Sequence, residues 1–445
     1  MKGYTLIKNA TVVTSDGSRK RDVLICEDRI VRVDEQINFD DAFVVDASNK
    51  VLLPGIIDAQ VHFRDPGLTH KGDLVSESKA AIAGGVTTII DMPNTLPHVL
   101  TPSILGDKYA NAQNRSYCNY VFLLGLGKDN WKNWNEAEVK HLKALTDDGL
   151  YFAGPGNLLC QHPEALKEIL NRFPDKVVAL HCEDEDVIER NLIRQKEISG
   201  DHIPFQLHGQ IRSEDACLNA TSRCIEVASQ TDGRLHVLHL TSGKETALFS
   251  ANSDITSKRI TTEVCVQNLY FSEEDYAVLG PRIKWNPSIK SKESRELLWQ
   301  ALLEDRIDLI TTDHAPHTWE EKNKEYVNAM SGAPMIQHAL LVMIDFYLDG
   351  KISLEKIVEK MCFNPAWLYQ IERRGSIQEG YYADLVLLDL NQGTQVKKED
   401  LHYACGWSPM EGKSFRSSVV STWINGQLSY HNGQILNEPN GRPCE

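Results

Sequence analysis

Residues 53–97 read LPGIIDAQVHFRDPGLTHKGDLVSESKAAIAGGVTTIIDMPNTLP, and this stretch decides the fold. An apolar strand (Ile56, Ile57, Val61) runs into His62, Arg64 and a Pro-Gly turn. A small-residue helix follows, and a second strand ends in Asp91-Met92-Pro93-Asn94-Thr95. That order is one complete βαβ unit. Asp58, His62, Arg64 and Asn94 fall at or just past the C-terminal ends of its two strands, the edge at which parallel α/β folds bind ligands.

Working outward, short β-branched runs keep alternating with helical patterns. Eight strands are expected, roughly Ile56 to His62, Val86 to Met92, Tyr120 to Leu124, Leu142 to Thr146, Val177 to His181, Leu235 to His239, Ile260 to Val264 and Ile307 to Thr312. Eight is the number that closes a (β/α)8 barrel, and a barrel with a smaller domain fits a chain of 445 residues. Both ends of the chain alternate like half-buried strands, with Asn425-Gly426 and Asn432-Gly433 as hairpin turn signals. The expected architecture is therefore α/β: a TIM-like barrel over 54–365, with a small β-sandwich domain built from 1–53 and 366–445.

A net charge of −15 and the lack of any Lys/Arg block exclude a nucleic-acid surface. No apolar run approaches the ~18 residues of a membrane span, and MKGYTLIKNATVV carries no signal-peptide core, so a cytoplasmic protein is expected. Ten dispersed cysteines without a CxxC pair suggest neither a disulfide framework nor a zinc knuckle.

The chemistry stands at the strand ends. His62, His181, His239 and Asp313 each end a different strand, and Asp147-Asp148-Gly149 follows the fourth. A barrel brings such ends to one rim, where imidazoles and carboxylates suit zinc or a similar divalent ion. Asp148 reads equally as the turn residue before Gly149. Arg64 can be a forked carboxylate donor or a rim salt bridge, and Asn94 its neighbour or a turn residue after Pro93.

At Pro54, Gly55, Asp58, His62, Arg64, Pro66 and Gly67 the chain resembles the amidohydrolase superfamily and, within it, the dihydroorotases of the bacterial and multifunctional-complex type. MPNT at 92–95, HCED at 181–184, HLTS at 239–242, DHAPH at 313–317 and GWSPMEG at 406–412 extend the resemblance along the chain. It implies zinc, one or two ions per chain, with His181 and His239 on one ion, His62 and Asp313 on the other, and Asp148 as the bridge. Arg64, Asn94 and His317 would hold the substrate carboxylate, and Asn286, in the NPSIK segment, would be a further contact. Asp313 would act as general acid and base with metal-activated water in the reversible cyclisation of N-carbamoyl-L-aspartate to L-dihydroorotate, a step of pyrimidine biosynthesis. The resemblance also implies a homo-oligomer such as a dimer.

Three positions depart from the pattern. Gln60 stands where the family's first His of the HxH pair would be, and an amide oxygen is a poor zinc ligand beside imidazole, so the site next to His62 is weakened. Lys290 replaces an Arg, and SGAPMIQHAL at 331–340 replaces a GxxGxE pattern. Two other readings stand beside the first: an allantoinase or hydantoinase, from which Arg64 distinguishes this chain, and an inactive scaffold for aspartate carbamoyltransferase.

Overall fold

The computed structural model describes residues 3–127, 130–148, 159–200 and 202–444. Five strands open the chain, β1 (Tyr4–Thr14), β2 (Gly17–Cys26), β3 (Arg29–Asp34), β4 (Phe43–Asp46) and β5 (Val51–Pro54). The barrel strands follow: β6 (Ile56–Val61), β7 (Val86–Asp91), β8 (Asn119–Phe122), β9 (Leu124–Gly125), β10 (Ala144–Asp147), β11 (Val177–Leu180), β12 (Arg234–Val237), β13 (Ile260–Cys265) and β14 (Leu309–Thr311). After them come β15 (Leu385–Asp389), a short ladder of β16 (Thr394–Gln395) with β17 (Ser414–Phe415), then β18 (Ser418–Ile424), β19 (Gln427–His431) and β20 (Gln434–Ile435).

β6 to β8 pair in parallel, as do β9 to β14. The ring closes between β14 and β6, where Val61 bridges His314 and the His62 amide donates to the His314 carbonyl at 2.8 Å. Asp58 adds a side-chain tie, accepting from the Thr312 amide at 3.1 Å and its hydroxyl at 2.5 Å. Apart from the entry residues Arg234 and Ile260, the barrel strands are buried throughout. Strands covered on both faces read as continuous apolar runs rather than alternating ones.

The expected third strand is divided at Leu123 into β8 and β9, and the fourth starts at Ala144 rather than Leu142. The reason for the second change is local: the Leu142 amide is spent on the Val139 carbonyl in the turn that ends helix Glu136–Val139.

The small-residue helix expected over SESKAAIAGG forms at Leu74–Ala83, starting two residues earlier and ending before Gly84-Gly85. Asp73 accepts from the Val75 and Ser76 amides, and the Ser76 hydroxyl accepts from the Asp73 amide in return, so two orphan ends are satisfied reciprocally. The turn before it depends on Gly67, whose φ is +90° and where a Cβ would lie 2.2 Å from the Leu96 carbonyl oxygen. That close approach locks the RDPG turn against MPNTLP, with the Leu96 amide also donating to the Pro66 carbonyl at 3.1 Å.

The small domain is one mixed sheet in the order β20-β19-β18-β15-β5-β1-β2-β3, with β4 on β1, so both ends of the chain share it. Asn425-Gly426 and Asn432-Gly433 both have positive φ at each residue, as a tight hairpin turn requires. All ten cysteines are free, and nine of them are buried.

Candidate functional site

Strand ends β6, β7, β10, β11, β12 and β14 open onto one cavity of about 530 Å³. Gln60, His62, Arg64, Asn94, Asp148, His181, His239, Asn286, Asp313 and His317 all line it. The structure therefore brings together the nine side chains expected to have metal, substrate or proton roles, while Asp58, placed at the same edge, is outside the lining and ties to Thr312. Gly149 lies outside the described residues.

Within the cavity the donors stand in two pairs. His181 Nδ1 and His239 Nε2 are 2.9 Å apart, and His62 Nε2 lies 3.0 Å from Asp313 Oδ1. Burial, aided by the nearby His181, pushes the His239 imidazole well below its ordinary pKa. Burial opposes charging of His62 too, but the Asp313 carboxylate outweighs it and moves that imidazole upward. His239 (φ +36°) and Asp313 (φ +45°) both hold left-handed backbone, a conformation that costs a non-glycine residue of order 1–3 kcal/mol and that clusters at functional sites.

These donors fit a divalent cation. Two imidazole nitrogens aimed at each other in a buried cavity are the nitrogen donors such an ion takes, and carboxylates stand on the same wall. The Nδ1 atoms of His62 and His239 are buried and, among the described residues, have no hydrogen-bond partner. Among the described residues, however, no three His, Cys, Asp or Glu side chains are drawn around a single point. The fit is thus to two half-built sites rather than one closed cage. Gln60 is buried, and its amide oxygen faces the Cys265 thiol at 3.8 Å.

Support behind the donors comes from residues that the sequence reading missed. Glu183 accepts from His181 Nε2 at 2.9 Å, which directs Nδ1 toward His239. Burial resists ionisation of Glu183, but its ion pair with Arg212 prevails and holds the carboxyl well below the usual carboxylate range. HCED at 181–184 carried the signal for Glu183; nothing local in the sequence pointed to Arg212.

In the same cavity, Arg64 donates through Nε to the Pro316 carbonyl at 3.2 Å, and its Nη2 lies 3.2 Å from His317 Nε2. His317 Nδ1 faces Lys71 Nζ at 3.3 Å and Glu321 Oε2 at 3.4 Å, while Lys71 pairs with Glu321 at 3.0 Å. Burial, against the pull of Glu321 and with the repulsion of Arg64 and Lys71, pushes His317 down to about 3. The ring is therefore neutral: Nε2 accepts from Arg64 and Nδ1–H donates to Glu321, while Lys71, a donor like Nδ1–H, bonds Glu321 rather than the ring. The Trp407 indole N–H donates to the His317 carbonyl at 2.8 Å, so the GWSPMEG segment touches the site directly.

Among the described residues, Asn94 Oδ1 and Asn286 Oδ1 are buried in the cavity without a hydrogen-bond partner, two amides able to meet a polar ligand. Lys290 turns away from the cavity and donates to the carbonyl and hydroxyl of Ser288. The altered 331–340 segment contributes Ser331 and Gly332 to the wall.

The model of the amidohydrolase family matches residues 51–429. The chain is 34% identical over 433 residues to a dihydroorotase of Carboxydothermus hydrogenoformans, covering 96% of this chain and 97% of that one. It is 29% identical over 462 residues to an allantoinase of Desulfitobacterium hafniense, covering 99% of each. Among solved structures, the L-hydantoinase (dihydropyrimidinase) of Arthrobacter aurescens superposes with a TM-score of 0.92 at 25% identity over the whole of both chains. The chain belongs to the amidohydrolase family. Within it, the chain is a hydrolase of the cyclic-amide class. Among the described residues no helix is long and apolar enough to cross a membrane.

Proposed function

We propose that the protein is a dihydroorotase, interconverting N-carbamoyl-L-aspartate and L-dihydroorotate. The observation that carries this reading is the placement of Arg64, with Asn94 and His317, in the same cavity as the His62–Asp313 and His181–His239 pairs. A ring opened by this chain would thus carry a carboxylate, which the neutral rings of allantoin and hydantoin lack.

His181 and His239 would hold one divalent cation, zinc by the family's resemblance, and His62 with Asp313 a second, more weakly held one, with Asp148 as the donor between them. When bound, such an ion polarises the carbonyl under attack and lowers the pKa of a water toward ~7. Arg64 offers a forked, charge-assisted pair of donors to the carboxylate and fixes the ring's orientation. In ring opening, Asp313 takes a proton from the attacking water and returns it to the departing ring nitrogen. In ring closure, the same carboxylate takes the proton from the carbamoyl nitrogen and delivers it to the departing oxygen.

The test is an assay of dihydroorotate formation from carbamoyl-aspartate at mildly acidic to neutral pH, on a sample whose metal content is measured, beside allantoin and hydantoin. Turnover of carbamoyl-aspartate well above the neutral rings is expected. Preference for a neutral ring would overturn the substrate, and inactivity toward all three after zinc addition would overturn the activity.

A further inference from the structure

Segment 323–332 follows helix Trp319–Lys322 and contains only turns and bends, yet Val327, Asn328, Ala329, Met330, Ser331 and Gly332 form one wall of the cavity. Irregular backbone of this kind has no ladder to satisfy its carbonyls, and each one taken from water needs a donor. Here the donors are two lysines. Lys322, fully buried, places Nζ 3.1 Å from the Lys284 carbonyl, 2.9 Å from that of Met330 and 2.8 Å from that of Gly332. Lys284 Nζ donates to the carbonyls of Tyr326 at 2.8 Å and Ala329 at 2.5 Å.

The two are interlocked, because the Lys284 carbonyl that receives Lys322 also receives the Gly332 amide at 2.8 Å. His208 closes the loop from behind: its Nδ1 accepts from the Tyr326 hydroxyl at 2.7 Å, and its Nε2 donates to the Trp285 carbonyl at 2.6 Å. Segments 326–332 and 284–285 are thus joined by ammonium, amide and imidazole bonds, and the next residue along the second segment is Asn286, whose side chain lines the cavity. Burial and the neighbouring Lys284 push the Lys322 amine well below its ordinary pKa, but three carbonyls within 3.1 Å of Nζ require three donors, which only the ammonium form supplies.

We propose that Lys322 and Lys284 are positioning residues: their ammonium groups clasp segment 326–332 to 284–286 and hold this part of the cavity wall in its ligand-ready shape. The clasp goes beyond the dihydroorotase reading, since it holds whichever ring the cavity receives.

Lys322→Met keeps the length of the side chain and removes three donors; Lys284→Met removes two. Amide hydrogen exchange of the intact chain, read by peptide, should rise in 326–332 on the order of tenfold or more in each variant while that of Val177–Leu180 is unchanged. For Lys322→Met, KM for carbamoyl-aspartate should rise on the order of tenfold, with kcat within about threefold of the parent. Exchange in 326–332 that stays at the parent level in either folded variant overturns the clasp, as does a rise spread evenly over the barrel. Faster local exchange with an unchanged KM overturns the positioning role. Where Lys322→Met yields no folded protein, Lys284→Met decides by the same exchange readout. Because exchange needs no substrate, the clasp and the dihydroorotase reading fail separately.

Discussion

Arg64 Nη2 lies 3.2 Å from His317 Nε2, although the two residues are 253 positions apart, and the imidazole between Arg64 and Lys71 is neutral. A neutral ring can accept at only one nitrogen, so His317 steadies Arg64 rather than adding a second charge. Glu321 sustains that assignment, since its hydrogen bond with His317, opposed by some burial and joined by Lys71, keeps its carboxyl well below the usual range. The charge available to a carboxylate here is then chiefly that of Arg64.

Arg64→Met should therefore raise KM for carbamoyl-aspartate on the order of a hundredfold, since truncating a buried charged partner of a carboxylate costs about 2–5 kcal/mol. Steady-state kinetics in both directions checks it. An unchanged KM would remove the main reason for choosing this substrate over a neutral ring.

Asp313 has φ +45°, a conformation that Asn adopts more readily than most residues, so Asp313→Asn should fold. It loses the proton acceptor while His181 and His239 keep their places. The expected result is a fall in kcat on the order of a thousandfold with zinc per chain nearly unchanged. Zinc lost in proportion to activity would mean that Asp313 serves mainly as a ligand, and the proton would need another carrier.

Glu245 offers a pH-dependent test of the barrel itself. Burial raises its carboxyl to about 7, with hydrogen bonds from the Thr221 hydroxyl at 2.5 Å and the Ser242 amide at 3.3 Å opposing the shift only in part. A folded-state pKa above the unfolded value near 4.3 means that the unfolded chain binds fewer protons between those two values. Stability contributed by this group is therefore greatest below about pH 4, declines as pH rises to about 7, and is level beyond. Glu245→Gln can donate to Thr221 and accept from Ser242 without ionising. It should leave stability nearly unchanged at pH 4.5 and raise it by about 1–3 kcal/mol at pH 8, read by urea unfolding at the two pH values. An equal shift at both would place the effect in packing rather than in ionisation.

How much of this could be read from the chain follows from where each residue stands. His62, His181, His239 and Asp313 were legible because a strand end is a place in the fold: once eight strands are counted, the barrel supplies the convergence. The division of the third strand at Leu123 was not, because continuous apolar sequence does not record where a ladder changes partner. Lys71, Glu321 and Arg212 were passed over for a different reason. A charge on a helix or loop is usually solvated, and only the tertiary structure turns these three inward to pair with His317, with Lys71 and with Glu183. Trp407 sat in a segment noted for its family resemblance, but its hydrogen bond to the His317 carbonyl spans 90 positions and left no local trace.

Gln60 leads to the last prediction. It is buried at the end of β6, two residues before His62, and its amide oxygen faces the Cys265 thiol at 3.8 Å, a weak partner. The wall that His62 and Asp313 share is thus short of one nitrogen donor, and imidazole binds zinc far better than an amide oxygen does. Gln60→His fits a similar volume and supplies that donor. Zinc per chain after dialysis against a chelator should rise, by up to one equivalent, and the added ion should resist chelation longer than in the parent. If instead the variant is folded and retains no more zinc than the parent, then the pair at His62 and Asp313 is not a weakened metal site, and its 3.0 Å contact is a hydrogen bond in its own right.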